Sequence, residues 1–118
     1  MPATTRTVDL LTGAFDLSQR RRFDVKKDDG TVVLSLFFTP ITRADRKRAT
    51  GLSGTDEALD ISTQMLCHKA ELEDGTKAFA AADATKLQRE LPEQVLNDLE
   101  LFLFGLGQAE SLETAKND

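Results

Sequence analysis

The chain has no Trp, no Tyr, one Cys, one His and only three Pro. Trp and Tyr combine a broad ring with a polar tip, and their absence disfavours a carbohydrate- or nucleobase-stacking platform. A single cysteine, Cys67, excludes an internal disulfide and fits a reducing compartment. The single histidine, His68, is its neighbour, and adjacent helical positions point about 100° apart, so the two do not form a nucleophile–base pair. Two side chains also fall short of a zinc ligand set. The expectation is a partly buried Cys67 beside an exposed or lightly packed His68. No apolar run approaches the roughly 20 residues that span a bilayer. Residues Met1–Thr7 lack the continuous apolar core of a signal peptide, so a cytosolic protein is expected.

Chemical motifs are equally sparse. No serine lies in a Gly-x-Ser-x-Gly elbow. Gly51, Gly54, Gly105 and Gly107 make neither a phosphate-binding loop nor a dinucleotide fingerprint. The acid pairs Asp28-Asp29 and Glu73-Asp74 each precede Gly, as in surface turns, and match no calcium loop. No catalytic residue, metal or cofactor is expected.

Among 118 residues, 40% are apolar and 30% charged, which describes one small globular domain. The net charge of −5 is unevenly spread. Residues 1–48 hold ten Lys/Arg against six Asp/Glu, whereas residues 49–118 hold five against fourteen. Such polarity can steer a charged partner or contacts between copies; it can also be neutralised within the fold. Arg20-Arg21-Arg22 and the trio Arg43, Arg46 and Lys47 are the candidate phosphate contacts. The acidic balance and the lack of interleaved aromatics argue for solvated or paired bases instead, leaving nucleic-acid binding as a minor alternative.

Residues 1–20 sustain no period and read as an arm that docks or stays partly disordered. Phe23 and Val25 alternate with charged residues, Asp28-Asp29-Gly30 marks a turn, and Thr31–Thr39 is β-branched and aromatic. A hairpin of Arg22–Lys27 with Thr31–Thr39 is expected, with Phe37 and Phe38 on opposite faces, one of them open to a contact. Thr42 is placed to cap a helix from Arg43 to Thr50 that ends at Gly51. Ser53 or Thr55 is placed to cap a second helix reaching about Ala70, and Asp83 a third from Ala84 to Leu91. Phe79 is expected to plug the core. Pro92 opens the fourth helix. The fold class is α+β: a hairpin followed by about four helices over residues 21–107, then a polar tail, 108–118.

The fourth helix carries the most apolar surface. Val95, Leu96, Leu99, Phe102, Leu103 and Leu106 form one stripe, and Leu101 and Phe104 fall outside it. This excess points to a partner, with Leu99, Leu101, Phe102, Leu103, Phe104 and Leu106 as contacts and Phe37 or Phe38 in support. The alternatives are the protein's own core or a homo-oligomer seam.

Several stretches resemble the small tail assembly chaperones of long-tailed bacteriophages. They are the Asp-Gly hairpin, Thr39-Pro-Ile-Thr-Arg-Ala-Asp-Arg-Lys-Arg-Ala49, Cys67-His-Lys-Ala-Glu-Leu-Glu-Asp-Gly75, Ala78-Phe79, Lys86-Leu87-Gln88 and Pro92-Glu-Gln-Val-Leu-Asn-Asp-Leu99. The likeness spans Phe23 to Phe104 and contains no catalytic motif. It implies a non-enzymatic protein of the host cytoplasm that coats the helical tape measure protein and helps gather tail tube subunits. The alternatives are a structural virion subunit (neck, tail-completion or baseplate) and a small nucleic-acid-binding regulator.

Overall fold

A computed structural model describes residues 6–105. Alternating residues pair as β1 (Arg21–Lys26) and β2 (Val32–Phe38) in an antiparallel hairpin. Its register runs from Arg21 opposite Phe38 to Val25 opposite Leu34, then slips so that Lys26 faces Val32. Gly30 closes the turn at φ 89°, a conformation that costs glycine little. Asp29 Oδ1 accepts the Thr31 N–H at 2.9 Å. The period of two puts Leu36 and Phe38 on the face that becomes the core, and both are buried. Phe23 and Val25 pack beside them from the partner strand.

Pro40 ends the strand, and Thr42 caps α2 (Arg43–Ser53) with a reciprocal pair of hydrogen bonds. The Asp45 N–H donates to Thr42 Oγ1 at 3.1 Å, and the Thr42 N–H donates to Asp45 Oδ2 at 2.9 Å. Thr42→Ala is expected to cost about 1 kcal/mol, measured by chemical denaturation. The helix does not stop at Gly51. It runs on to Ser53, and Gly54 takes the left-handed cap at φ 70°. The extension has a local cause: the Ser53 hydroxyl lies 2.9 Å from the Thr50 carbonyl and 2.8 Å from that of Thr55, so the last turn is bonded rather than frayed.

Neither Ser53 nor Thr55 caps α3 (Ala58–Lys69), whose N-terminal flank is Glu57 with no side-chain cap. Thr55 Oγ1 instead accepts the Glu57 N–H at 3.0 Å, shaping the loop before the helix. Buried Thr63, Met65, Leu66 and Cys67 line the inner side of α3. After it, Glu71 exchanges two 2.9 Å backbone hydrogen bonds with Phe37, and Glu71 also bridges to Lys77 across a turn at Gly75. The Asp-Gly turn therefore covers part of the β2 edge.

The chain closes with α4 (Asp83–Glu90) and α5 (Glu93–Leu103), the latter preceded by Pro92. Phe79 packs half-buried against the core. That core joins Leu36 and Phe38 of the hairpin, Ala49 of α2, Met65 and Leu66 of α3, Ala70, and Leu99 and Leu103 of α5. The architecture is the expected α+β hairpin followed by four helices. One element was not foreseen: the arm contains a short helix, α1 (Thr7–Gly13), none of whose residues is buried. The tail at 108–118 lies outside the described residues.

Candidate functional site

The α5 stripe turns inward. Leu99 and Leu103 are 2% and 1% exposed, and Phe38 is fully buried, so these three build the core and present no surface to a partner. Phe102 is half-buried between the rings of Phe23 and Phe38, with centroids at 4.9 and 5.8 Å. The Arg21 guanidinium lies over the Phe102 ring, 4.5 Å from its centroid, and donates to the Leu103 carbonyl at 3.0 Å. The physical reason is the hairpin: its apolar face packs across α5 and needs the side chains that helical periodicity alone leaves unassigned. Leu101 and Phe104 are half-buried, with the Arg46 guanidinium 5.6 Å from the Phe104 ring. Phe37 is half-buried beneath Arg20, whose guanidinium sits 4.6 Å from the ring centroid. Leu106 lies outside the described residues.

Exposed apolar surface is concentrated elsewhere. Val8, Leu10 and Leu11 of α1 and the following Phe15 and Leu17 all stand in solvent, Phe15 at 69% exposure. Val32, Val33 and Leu34 near the hairpin turn form a second exposed group. The signal for the arm was present in the sequence as five large apolar residues within ten positions, but their irregular spacing concealed it.

The arginine run that could have met phosphate is occupied within the fold. Arg20 donates to Glu71 Oε1 at 3.2 Å and to the carbonyls of Leu72 and Glu73 at 3.1 and 2.8 Å. Arg22 pairs with Asp24 at 2.9 Å. Arg43, Arg46 and Lys47 remain exposed on α2.

Two polar clusters were not foreseen. Asp45 accepts from Lys69 Nζ at 2.9 Å and lies 3.0 Å from His68 Nε2, tying α2 to α3; Lys69 also donates to the Pro40 carbonyl at 3.0 Å. Burial pushes the Asp45 carboxyl up, but hydrogen bonds from the Thr42 N–H, Lys69 and His68, with the charge of Lys69, hold it well below the usual carboxylate range. His68 is thus a bonded link between helices rather than an exposed side chain. Cys67 is buried, and desolvation, followed by the Asp83 and Glu100 carboxylates, pushes its thiol up to about 11. It remains a thiol at neutral pH and is a poor nucleophile.

The second cluster lines a cleft of about 330 Å³ between α3, α4 and α5. Thr63 and Glu100 are buried there, joined by a 2.8 Å hydrogen bond, and Gln88 reaches Thr63 Oγ1 at 3.2 Å. Glu100 sits between Leu99 and Leu103 on the inward side of α5, and an acid at such a position is the sequence signal for this cluster. Among the described residues, no group of three or more His, Cys, Asp or Glu side chains could hold a metal ion, and no helix is long and apolar enough to cross a membrane. Compared with protein-family models, with curated proteins and with solved structures, the chain matches none.

Proposed function

We propose that this chain is a non-enzymatic phage tail assembly chaperone that covers apolar helical surface of the tape measure protein and helps recruit tail tube subunits. The observation that carries the reading is the apolar surface left open on a folded domain: Val8, Leu10, Leu11, Phe15 and Leu17 on the arm, with Val32–Leu34 near the hairpin turn. Side chains of this kind, on a segment with no buried residue of its own, suit a helical client that must be kept from aggregating. The resemblance over Phe23–Phe104 supplies the identity of the client. The binding surface in this reading is the arm, joined by the partly open Leu101, Phe104 and Phe37.

The test is co-expression with the tape measure protein. Leu10→Asp with Phe15→Asp removes no buried contact, so stability should change by no more than about 0.5 kcal/mol. Recovery of the client with the tagged double variant should fall at least tenfold. Undiminished recovery would rule out the arm as the binding surface. Purified mature particles should lack the protein, whereas a fixed copy number there would favour the virion-subunit reading.

A further inference from the structure

Thr63 has one hydroxyl hydrogen and three neighbours within bonding distance: the Leu59 carbonyl at 3.1 Å, Glu100 Oε2 at 2.8 Å and Gln88 Nε2 at 3.2 Å. It accepts from Gln88, so its hydrogen goes either to Leu59 or to Glu100. With Glu100 ionised, Thr63 donates to the carboxylate. With Glu100 protonated, the acid donates to Thr63 Oγ1, and the hydroxyl turns to the Leu59 carbonyl. Both arrangements use every hydrogen, and the heavy-atom positions serve either one. Glu100 as a residue is 9% exposed, and burial pushes its carboxyl above the usual glutamate value against the opposing Thr63 bond.

Glu100 Oε1 has no hydrogen-bond partner among the described residues, and the side chain lines the cleft. Leu91 and Leu96 supply apolar wall, while Glu57, Asp60 and Glu93 add carboxylates nearer solvent. Among the described residues no Lys or Arg lines the cleft, and behind Glu100 the Cys67 thiol of α3 lies close enough to feel its charge. We propose that this cleft binds a primary alkylammonium group, its stem against Leu91 and Leu96 and its head on Glu100. One open carboxylate oxygen cannot serve the two-pronged fork of a guanidinium, whereas an ammonium satisfies single acceptors one at a time. Binding favours the ionised acid, the arrangement in which the Thr63 hydroxyl donates to the carboxylate. The site is independent of client binding by the arm.

The probe is n-butylammonium chloride, titrated at constant ionic strength and followed by NMR at the Leu91 and Leu96 methyls. A Kd on the order of 1 mM is expected near pH 7.5, as suits so small a ligand. Affinity should weaken at least tenfold at pH 4, because the protonated acid no longer attracts the cation. Glu100→Gln should weaken binding ten- to a hundredfold, and Glu93→Gln less than threefold. Putrescine and Nα-acetyl-lysine amide distinguish a free diamine from a peptide lysine as the source, according to which binds tighter. The proposal fails if the methyls do not shift, or if affinity in the unmodified protein is the same at both pH values. Unchanged affinity in a folded Glu100→Gln variant overturns it as well.

Discussion

Phe102→Ala is expected to lower the free energy of unfolding by about 3 kcal/mol, read from denaturant titration. The value sits at the low end for a phenylalanine because the ring is only half-buried. What it loses is specific: ring contacts with Phe23 and Phe38, and the face on which the Arg21 guanidinium rests at 4.5 Å. Arg21 would keep its bond to the Leu103 carbonyl but lose its stacking partner. The consequence reaches the function. A client-binding defect in any Phe102 variant would follow from loosening the hairpin on α5, whereas a defect in the arm variants would follow from lost surface. A Phe102→Ala protein as stable as the parent would show that the hairpin does not lean on α5.

Asp45→Ala should cost about 3 kcal/mol at pH 7, by the loss of a partly buried ion pair and a helix cap together. The Asp45 and Lys69 side chains are 17% and 11% exposed, so water replaces the lost carboxylate poorly. The effect has a defined pH dependence. Because the folded-state pKa of Asp45 is depressed, its contribution is complete above the unfolded value of about 3.9 and disappears as pH falls towards the folded one. The difference between parent and variant should therefore shrink below about pH 4. Glu100 has the opposite sign. Its pKa is raised by burial, so the folded state holds a proton that the unfolded chain releases above about 4.3, and stability declines as pH rises through that window. Glu100→Gln should flatten that decline and raise Tm at neutral pH. A variant less stable than the parent there would indicate that the buried acid is ionised and held by its neighbours.

The elements that follow local rules were legible. An Asp-Gly turn between β-branched runs makes a hairpin, a Thr before a helical stretch makes a cap, and a Pro opens α5. Helix ends were less so: α2 runs past Gly51 to Ser53, whose hydroxyl bonds back to the Thr50 carbonyl and forward to that of Thr55, contacts no propensity scale anticipates. The candidate surface shifted furthest. Leu99, Phe102 and Leu103 look like surplus hydrocarbon until the hairpin is laid across them, and Val8, Leu10, Leu11, Phe15 and Leu17 look unremarkable until the fold of the described residues leaves them exposed.

By itself the amino-acid order determined the hairpin, the Thr42 cap of α2, the number of helices after the hairpin and the lack of a catalytic motif, since each depends on neighbours within a few positions. In contrast, α3 and α4 begin without the side-chain caps expected from Ser53 or Thr55 and from Asp83. Only the tertiary structure decided which apolar side chains are hidden, which arginines are already bonded, and that Thr63, Gln88 and Glu100 meet in one cleft. Those outcomes depend on how three or more elements share a small interior, and distances between residues some 25 to 80 positions apart in the chain set them.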